Sequence, residues 1–219
     1  MEASVYQRVL GASFDDLVPE LRKYFGSVDV ARVGVGSGIF EVAGSSRRWL
    51  VPALAWLGWR RVLFADFGHD IPFDIVNTPA ADGSLSAVRT LHFPAGNGGR
   101  DRRKSRDRSL EDTMRVVDGR LHDFLGRRRG LEARFVLTVS GGLLRMRSDR
   151  LWLWLRLPAG RGLGRGLRIR IPRLATVTIA ESWAYDLDRQ HVDVRLRSPL
   201  IGEWFRYAGG FEYRIVSSR

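Results

Sequence analysis

The sequence predicts an α+β domain: a large antiparallel β-sheet curled into a barrel or half-barrel, with N-terminal helices covering one end or face. Three observations predict it. From about Arg61 onward, short runs alternate apolar and polar residues, which sets one face of each run against a core. Turn residues separate these runs, and the second half lacks the crossover helices that parallel strands require. Before Arg61, by contrast, apolar residues recur at helical spacing. The expectation is one domain over 1–219, with 1–60 mainly a helical cap and 61–219 the antiparallel body.

The elements follow in chain order. Val5, Val9, Leu10, Leu17, Val18, Leu21, Tyr24 and Phe25 fall on one helical face, with a break near Ser13. Ser13 is the expected N-cap of a second helix, and Gly26 its stop. Gly34, Gly36 and Gly38 have the wrong spacing for a dinucleotide loop. They read as a glycine-bearing strand or bulge, where backbones approach closely. Trp49–Trp59 is almost wholly apolar between Arg47-Arg48 and Arg60-Arg61. Eleven residues are too few to cross a bilayer, which takes about twenty. The segment reads as a buried helix across the open end of a sheet, and an interfacial helix is the alternative.

The strand pattern covers 61–67, 73–77, 86–93, 113–117, 120–125, 132–139, 143–148, 151–157, 166–171, 175–183, 191–197 and 211–216. Asp118-Gly119 signals a type I′ hairpin, because both residues tolerate positive φ. Residues 95–109 read as a charged, solvated loop. Closing so many strands removes unpaired edges, and roughly eight or more can leave room for a ligand.

Composition excludes several chemistries. The 219 residues include no cysteine, so disulfides, thiolate catalysis and Cys-based zinc sites are ruled out. The four histidines, His69, His92, His122 and His191, fit no metal spacing. Neither a metal nor a cofactor is expected. Gly36-Ser37-Gly38 is not a nucleophile elbow. The net charge of +12 invites a nucleic-acid reading, yet Lys23 and Lys104 are the only lysines and the arginines are spread along the chain. Nucleic acid is therefore not the expected partner. The N-terminus carries no basic region followed by an apolar stretch, so a cytoplasmic location is the default expectation.

The run from Met114 (MRVVDGRLHDFLG), then Ile171-Pro172-Arg173-Leu174, Glu181, Ser198-Pro-Leu-Ile-Gly and Tyr207-Ala-Gly-Gly-Phe, resembles the bacterial domain-of-unknown-function 4166 family. The similarity runs from Tyr6 to about Ile215. It implies a domain found alone or joined to oxidoreductase-like modules, and it supplies no catalytic residues.

Candidate site residues come from strand parity. Glu181 shares a face with Ala175, Val177 and Ile179, so a cavity on that face would desolvate its carboxyl and raise its pKa. Tyr207, beside a glycine-marked corner, and His92, alternating with Val88 and Thr90, complete the candidate catalytic set. Trp152 and Trp154 share one face of a strand whose other face is also apolar. With Trp183, Met114 and Arg173 they form the candidate ligand contacts. The expected partner is an apolar small molecule bearing a carbonyl or carboxylate. Two readings stand: a cofactor-independent cyclase or isomerase of a polyketide-like metabolite, or a carrier or sensor of lipophilic ligands. A membrane-surface or interaction module, using Trp49–Trp59, is the third.

Overall fold

The computed structural model describes residues 2–94, 106–156, 166–172 and 175–218. Three short helical pieces open the chain: α1 (Val5–Leu10), a 3₁₀ turn (Gly11–Asp16) and α2 (Pro19–Phe25). Ser4, not Ser13, is the cap that matters. Its hydroxyl accepts from the Gln7 amide while Gln7 reaches back to the Ser4 amide, satisfying two otherwise orphaned donors. The second helix begins at Pro19 in its first position, where a missing N–H costs nothing.

The strands are β1 (Arg32–Gly44), β2 (Phe67–Pro79), β3 (Leu85–Phe93), β4 (Arg106–Val117), β5 (Arg120–Leu125), β6 (Leu131–Ser140), β7 (Leu143–Arg156), β8 (Gly166–Ile171), β9 (Thr176–Ala184), β10 (Arg189–Ser198) and β11 (Gly202–Ser217). All pairings are antiparallel. β1 through β7 pair in sequence, β7 pairs β9, and β9, β10 and β11 lead back to β1. Ten strands thus close a barrel, and β8 is an extra strand on β7. The upper half of β7 pairs β8 while its lower half pairs β9. β8 therefore lies along the same edge of β7 as β9.

Several expectations are corrected. β1 puts a barrel strand inside the segment assigned to a helical cap. Its inward glycines make room for rings of β11: a Cβ on Gly34 would sit 1.5 Å from the Tyr213 hydroxyl, and one on Gly38 2.6 Å from the Phe211 Cβ. Residues 61–66 are not strand, and 106–109, expected in a loop, belong to β4. The two runs at 143–148 and 151–157 merge into one strand, β7, with a register shift opposite Arg134 and Phe135. Asp118-Gly119 turns as expected, with φ of 49° and 69°.

Two apolar clusters fill the barrel. At one end α1, the 3₁₀ turn and α2 drive Val5, Phe14, Leu21 and Phe25 against Leu121, Phe135 and Leu144. At the other, Leu54, Leu63 and Phe64 pack on Phe93, Leu110 and Phe205. Leu54 comes from α3 (Val51–Trp59), which follows a 3₁₀ turn over Arg48–Leu50. The helix lies at the open end as expected, but it is not buried. Only Leu54 is fully covered, and Trp49, Trp56 and Trp59 are 62%, 52% and 66% exposed.

Candidate functional site

Between the two clusters lies a layer of polar side chains. Most come from strands whose alternation points inward, so the backbone fixes their direction. Arg89 of β3 shares its face with Ala87 and Leu91, Asp112 of β4 with Leu110 and Met114, and Asp123 of β5 with Leu121. Glu181 enters from β9 and Tyr207 from β11, while α1 and α2 contribute Tyr6 and Tyr24. Arg89, Asp112, Glu181, Tyr207 and Met114 border one interior cavity of about 40 Å³. A water needs on the order of 10–15 Å³, so the closed cavity suits about three waters. The 20% of the Arg89 side chain that stays accessible borders this cavity.

The hydrogen bonds are uneven. The Arg89 Nη1 donates to Asp112 Oδ1, and Gln190 Nε2 donates to Glu181 Oε2 at 2.7 Å. The Tyr6 hydroxyl donates to the Met114 sulfur at 3.1 Å, a weak acceptor. Asp112 Oδ2 and Asp123 Oδ1 have no hydrogen-bond partner among the described residues. Unpartnered buried carboxyl oxygens are costly in a structural core and common where a ligand or water is received.

The electrostatics follow from burial. Burial pushes the Glu181 carboxyl up to about 7, with Gln190 and Arg89 pulling against it. Asp123 is raised well above the carboxylate range by burial and then by the charge of Asp112. Burial opposes the Arg89 cation, yet Asp112 beside it holds its pKa well above the ordinary value. Burial also lifts Tyr207 to about 12, and Tyr24 and Tyr6 rise for the same reason. The layer therefore holds the Arg89–Asp112 ion pair, a carboxyl at Asp123 whose protonated form burial and Asp112 favour, a carboxyl at Glu181 poised to gain or lose a proton near neutral pH, and neutral phenols.

A second cavity, about 260 Å³, opens at the α1–α2 end between residues 2–6, 25–30 and the β2–β3 hairpin. It shares Tyr6 and Leu85 with the interior cavity. Those two side chains are the wall between them.

Of the expected site residues, the interior brings together Glu181, Tyr207 and Met114. His92 is corrected: it lies on the outer face of β3, where Nδ1 meets Asp107 and Nε2 meets Asp74, both at 2.9 Å. Inward parity on β3 belongs to Ala87, Arg89, Leu91 and Phe93 instead. Hydrogen bonds to Asp107 and Asp74 raise the His92 pKa. Trp152 and Trp154 are also corrected. Register pairs Leu151 with the core residue Ala133 and Trp152 with Glu132, which turns both tryptophans outward. There Glu132 accepts from His122 Nδ1 and Trp154 Nε1, each at 2.6 Å, and from Arg168 Nε at 3.0 Å. The Arg168 guanidinium lies 3.9 Å over the Trp152 ring. Burial would raise the Glu132 carboxyl, but these donors together hold it below its ordinary value. Trp183 is half-buried near Glu181 and does not line the cavity. Arg173 lies outside the described residues.

Arg89, Asp112 and Asp123 were not singled out from sequence. Among the described residues no cluster of three or more His, Asp or Glu could hold a metal ion. No helix of the described chain is long and apolar enough to cross a membrane.

Fold and layer together define a closed antiparallel β-barrel with a charged, water-sized interior cavity. The chain belongs to the family described as domain of unknown function (DUF4166), which matches residues 17–211. No curated protein and no solved structure matches it.

Proposed function

We propose that the barrel is a small-molecule pocket protein carrying out cofactor-independent proton transfer, as an isomerase or cyclase, on a compact and largely apolar carbonyl compound. One observation supports this above others: a carboxyl, a phenol and an arginine–carboxylate pair border a single cavity enclosed by apolar clusters. Glu181 takes the proton from the carbon next to the carbonyl. The electron pair moves to the carbonyl oxygen, where the neutral Tyr207 hydroxyl and the Arg89 cation stabilise it. The Glu181 carboxylic acid then returns the proton at a second carbon, or the enolate carbon adds to a second carbonyl of the same molecule, whose C=O π bond opens to an alkoxide that takes the proton from Glu181. A base poised near neutrality suits both halves of that cycle.

The closed cavity admits waters only, so the substrate occupies both cavities once the Tyr6–Leu85 wall shifts. Among the described residues the Tyr6 hydroxyl bonds the Met114 thioether, a contact weak enough to yield. Carriage is the second reading, favoured by the apolar lining of the outer cavity by Val5, Phe25, Val28 and Val30. The test offers small ketones and enones in deuterium oxide and follows solvent deuterium into them by mass spectrometry. Glu181→Gln is expected to lower exchange on the order of a hundredfold or more, in the range of general acid–base effects. Tyr207→Phe is expected to lower it less. A ligand recovered unchanged and undeuterated, with wild type and Glu181→Gln alike, decides for carriage.

A further inference from the structure

The α3 end of the molecule faces water with a surface that water does not favour. Trp49, Val51, Trp56 and Trp59 are exposed along a segment without a polar side chain from Trp49 to Trp59. Leu200, 86% exposed, stands on the β10–β11 turn, which Arg47 ties to this end through the carbonyls of Ile201 and Glu203. Beside it, the upper halves of β7 and β8 expose Leu155, Leu167 and Ile169. The Trp154 amide bonds the Gly130 carbonyl and the Arg127 amide bonds the Arg60 carbonyl, so these strands, the β5–β6 turn and the helix share one face.

Arginine rings this patch. Arg47, Arg48, Arg60, Arg127, Arg128 and Arg129 form no ion pair with a described carboxylate. The nearby acids are already engaged: Glu111 by Arg61, Asp66 by Arg106 and Arg108, Glu203 by Arg195 and Arg197. The Arg60 guanidinium lies 5.0 Å over Trp56 and that of Arg128 5.7 Å over Trp59. Between them a cleft of about 190 Å³ is lined by Trp59, Arg60, Arg127 and Arg128. It offers cations to a phosphate at the depth where the indoles begin.

We infer that this end docks on an anionic lipid bilayer, with the α3 tryptophans in the interface and Arg48, Arg60, Arg127 and Arg128 among the headgroups, Arg47 and Arg129 being held by backbone carbonyls. Trp49 and Trp56 protrude, and the cleft that Trp59 borders is otherwise walled by arginines, which fits a fluid anionic surface better than the pocketed anchors of a protein interface. Tryptophan favours the interfacial depth, where its apolar body and N–H are both satisfied. The arginines supply the attraction to anionic lipid.

Flotation of the full chain with vesicles tests this. One set is phosphatidylcholine alone and the other carries about a third phosphatidylglycerol, in about 0.05 M and about 0.5 M salt. Binding is expected with the anionic vesicles at low salt, about tenfold or more weaker on neutral vesicles, with a blue shift of tryptophan emission. Replacing the exposed Arg48, Arg127 and Arg128 by Gln is expected to weaken it on the order of a hundredfold, from about fivefold per arginine. The same charge change at Arg145, Arg147 and Arg150 on the barrel wall is expected to stay within about threefold. The triple variant Trp49→Ser, Trp56→Ser, Trp59→Ser, in which every changed side chain is solvent-exposed, is expected to abolish the vesicle dependence of the emission and to weaken binding about tenfold or more. Inorganic phosphate at the same ionic strength is expected not to compete. Three results overturn the inference: no flotation at low salt, undiminished binding of the tryptophan variant, or lipid-free self-association in sedimentation that the tryptophan variant loses. The last would assign the patch to a second copy of the chain.

Discussion

At the scale of single residues, Glu181 has a consequence for stability that is separable from any reaction. Burial lifts its carboxyl to about 7, whereas an unfolded chain holds it near the ordinary glutamate value of about 4.3. Below that value folded and unfolded chains both keep the proton. Between it and about 7 only the folded chain does, so stability falls as the pH rises and stays low above. The difference amounts to about 4 kcal/mol across the whole window, of which about 3 kcal/mol falls between pH 5 and pH 8. Glu181→Gln keeps an acceptor for Gln190 and removes the titration. Thermal melts at pH 5 and pH 8 are expected to show the variant gaining on wild type by roughly that amount at the higher pH. An unchanged difference between the two pH values would mean that Glu181 sees bulk solvent. Strand parity found this residue because it sits in phase with Val177 and Ile179. The same test, applied along β3, β4 and β5, marks Arg89, Asp112 and Asp123, each a charge in phase with apolar neighbours. For Trp152 parity could not decide, since both faces of its strand are apolar. Only the register with Ala133 and Glu132 says which face closes inward.

At the scale of elements, β8 depends on side chains more than any other strand. It pairs with β7 on one edge, and among the described residues no strand pairs its other edge. Arg168 fastens it, stacked on Trp152 and bonded to Glu132, which is itself held by His122 and Trp154. A charged acceptor receiving several donors is worth more than the same contacts to a neutral amide. Glu132→Gln is therefore expected to raise hydrogen exchange of the Leu167–Ile171 amides on the order of tenfold or more, while β1, β2 and β11 change little. Uniform exchange across the barrel would show that β8 is not a separately opening unit. The strands themselves were largely legible, because period two and turn residues act locally. What escaped was set by closure. The glycines of β1 mark a strand or bulge in isolation, but its place as a full barrel strand escapes, since Gly34 and Gly38 acquire their purpose only when Tyr213 and Phe211 lie over them. The exposure of α3 escaped too, because an all-apolar helix has no polar face to announce which side is water.

At the scale of the whole molecule, the barrel is two apolar cores separated by a charged layer, and its ends differ in kind. The α1–α2 end holds the cavity mouth, and the α3 end presents tryptophan and arginine. A barrel docked through α3 would keep its mouth toward water, so the two proposals are geometrically compatible without depending on each other. The layer itself is an expense that two merged cores would avoid. Arg89 is the cation that makes it tenable, facing Asp112 directly and lowering the cost of Asp123 and Glu181. Arg89→Met leaves two acidic side chains without their countercharge, and removing one partner of a buried pair costs about 3–5 kcal/mol. Neutralising the acids as well, in the triple variant Arg89→Met, Asp112→Asn, Asp123→Asn, is expected to recover most of that loss, because a layer with no net charge needs no cation. Denaturant unfolding of both variants makes the comparison. If the triple variant is as unstable as Arg89→Met, the arginine acts by filling space and not by charge. If it recovers stability while deuterium exchange into an offered ketone is lost, the layer is retained for chemistry at the expense of the fold.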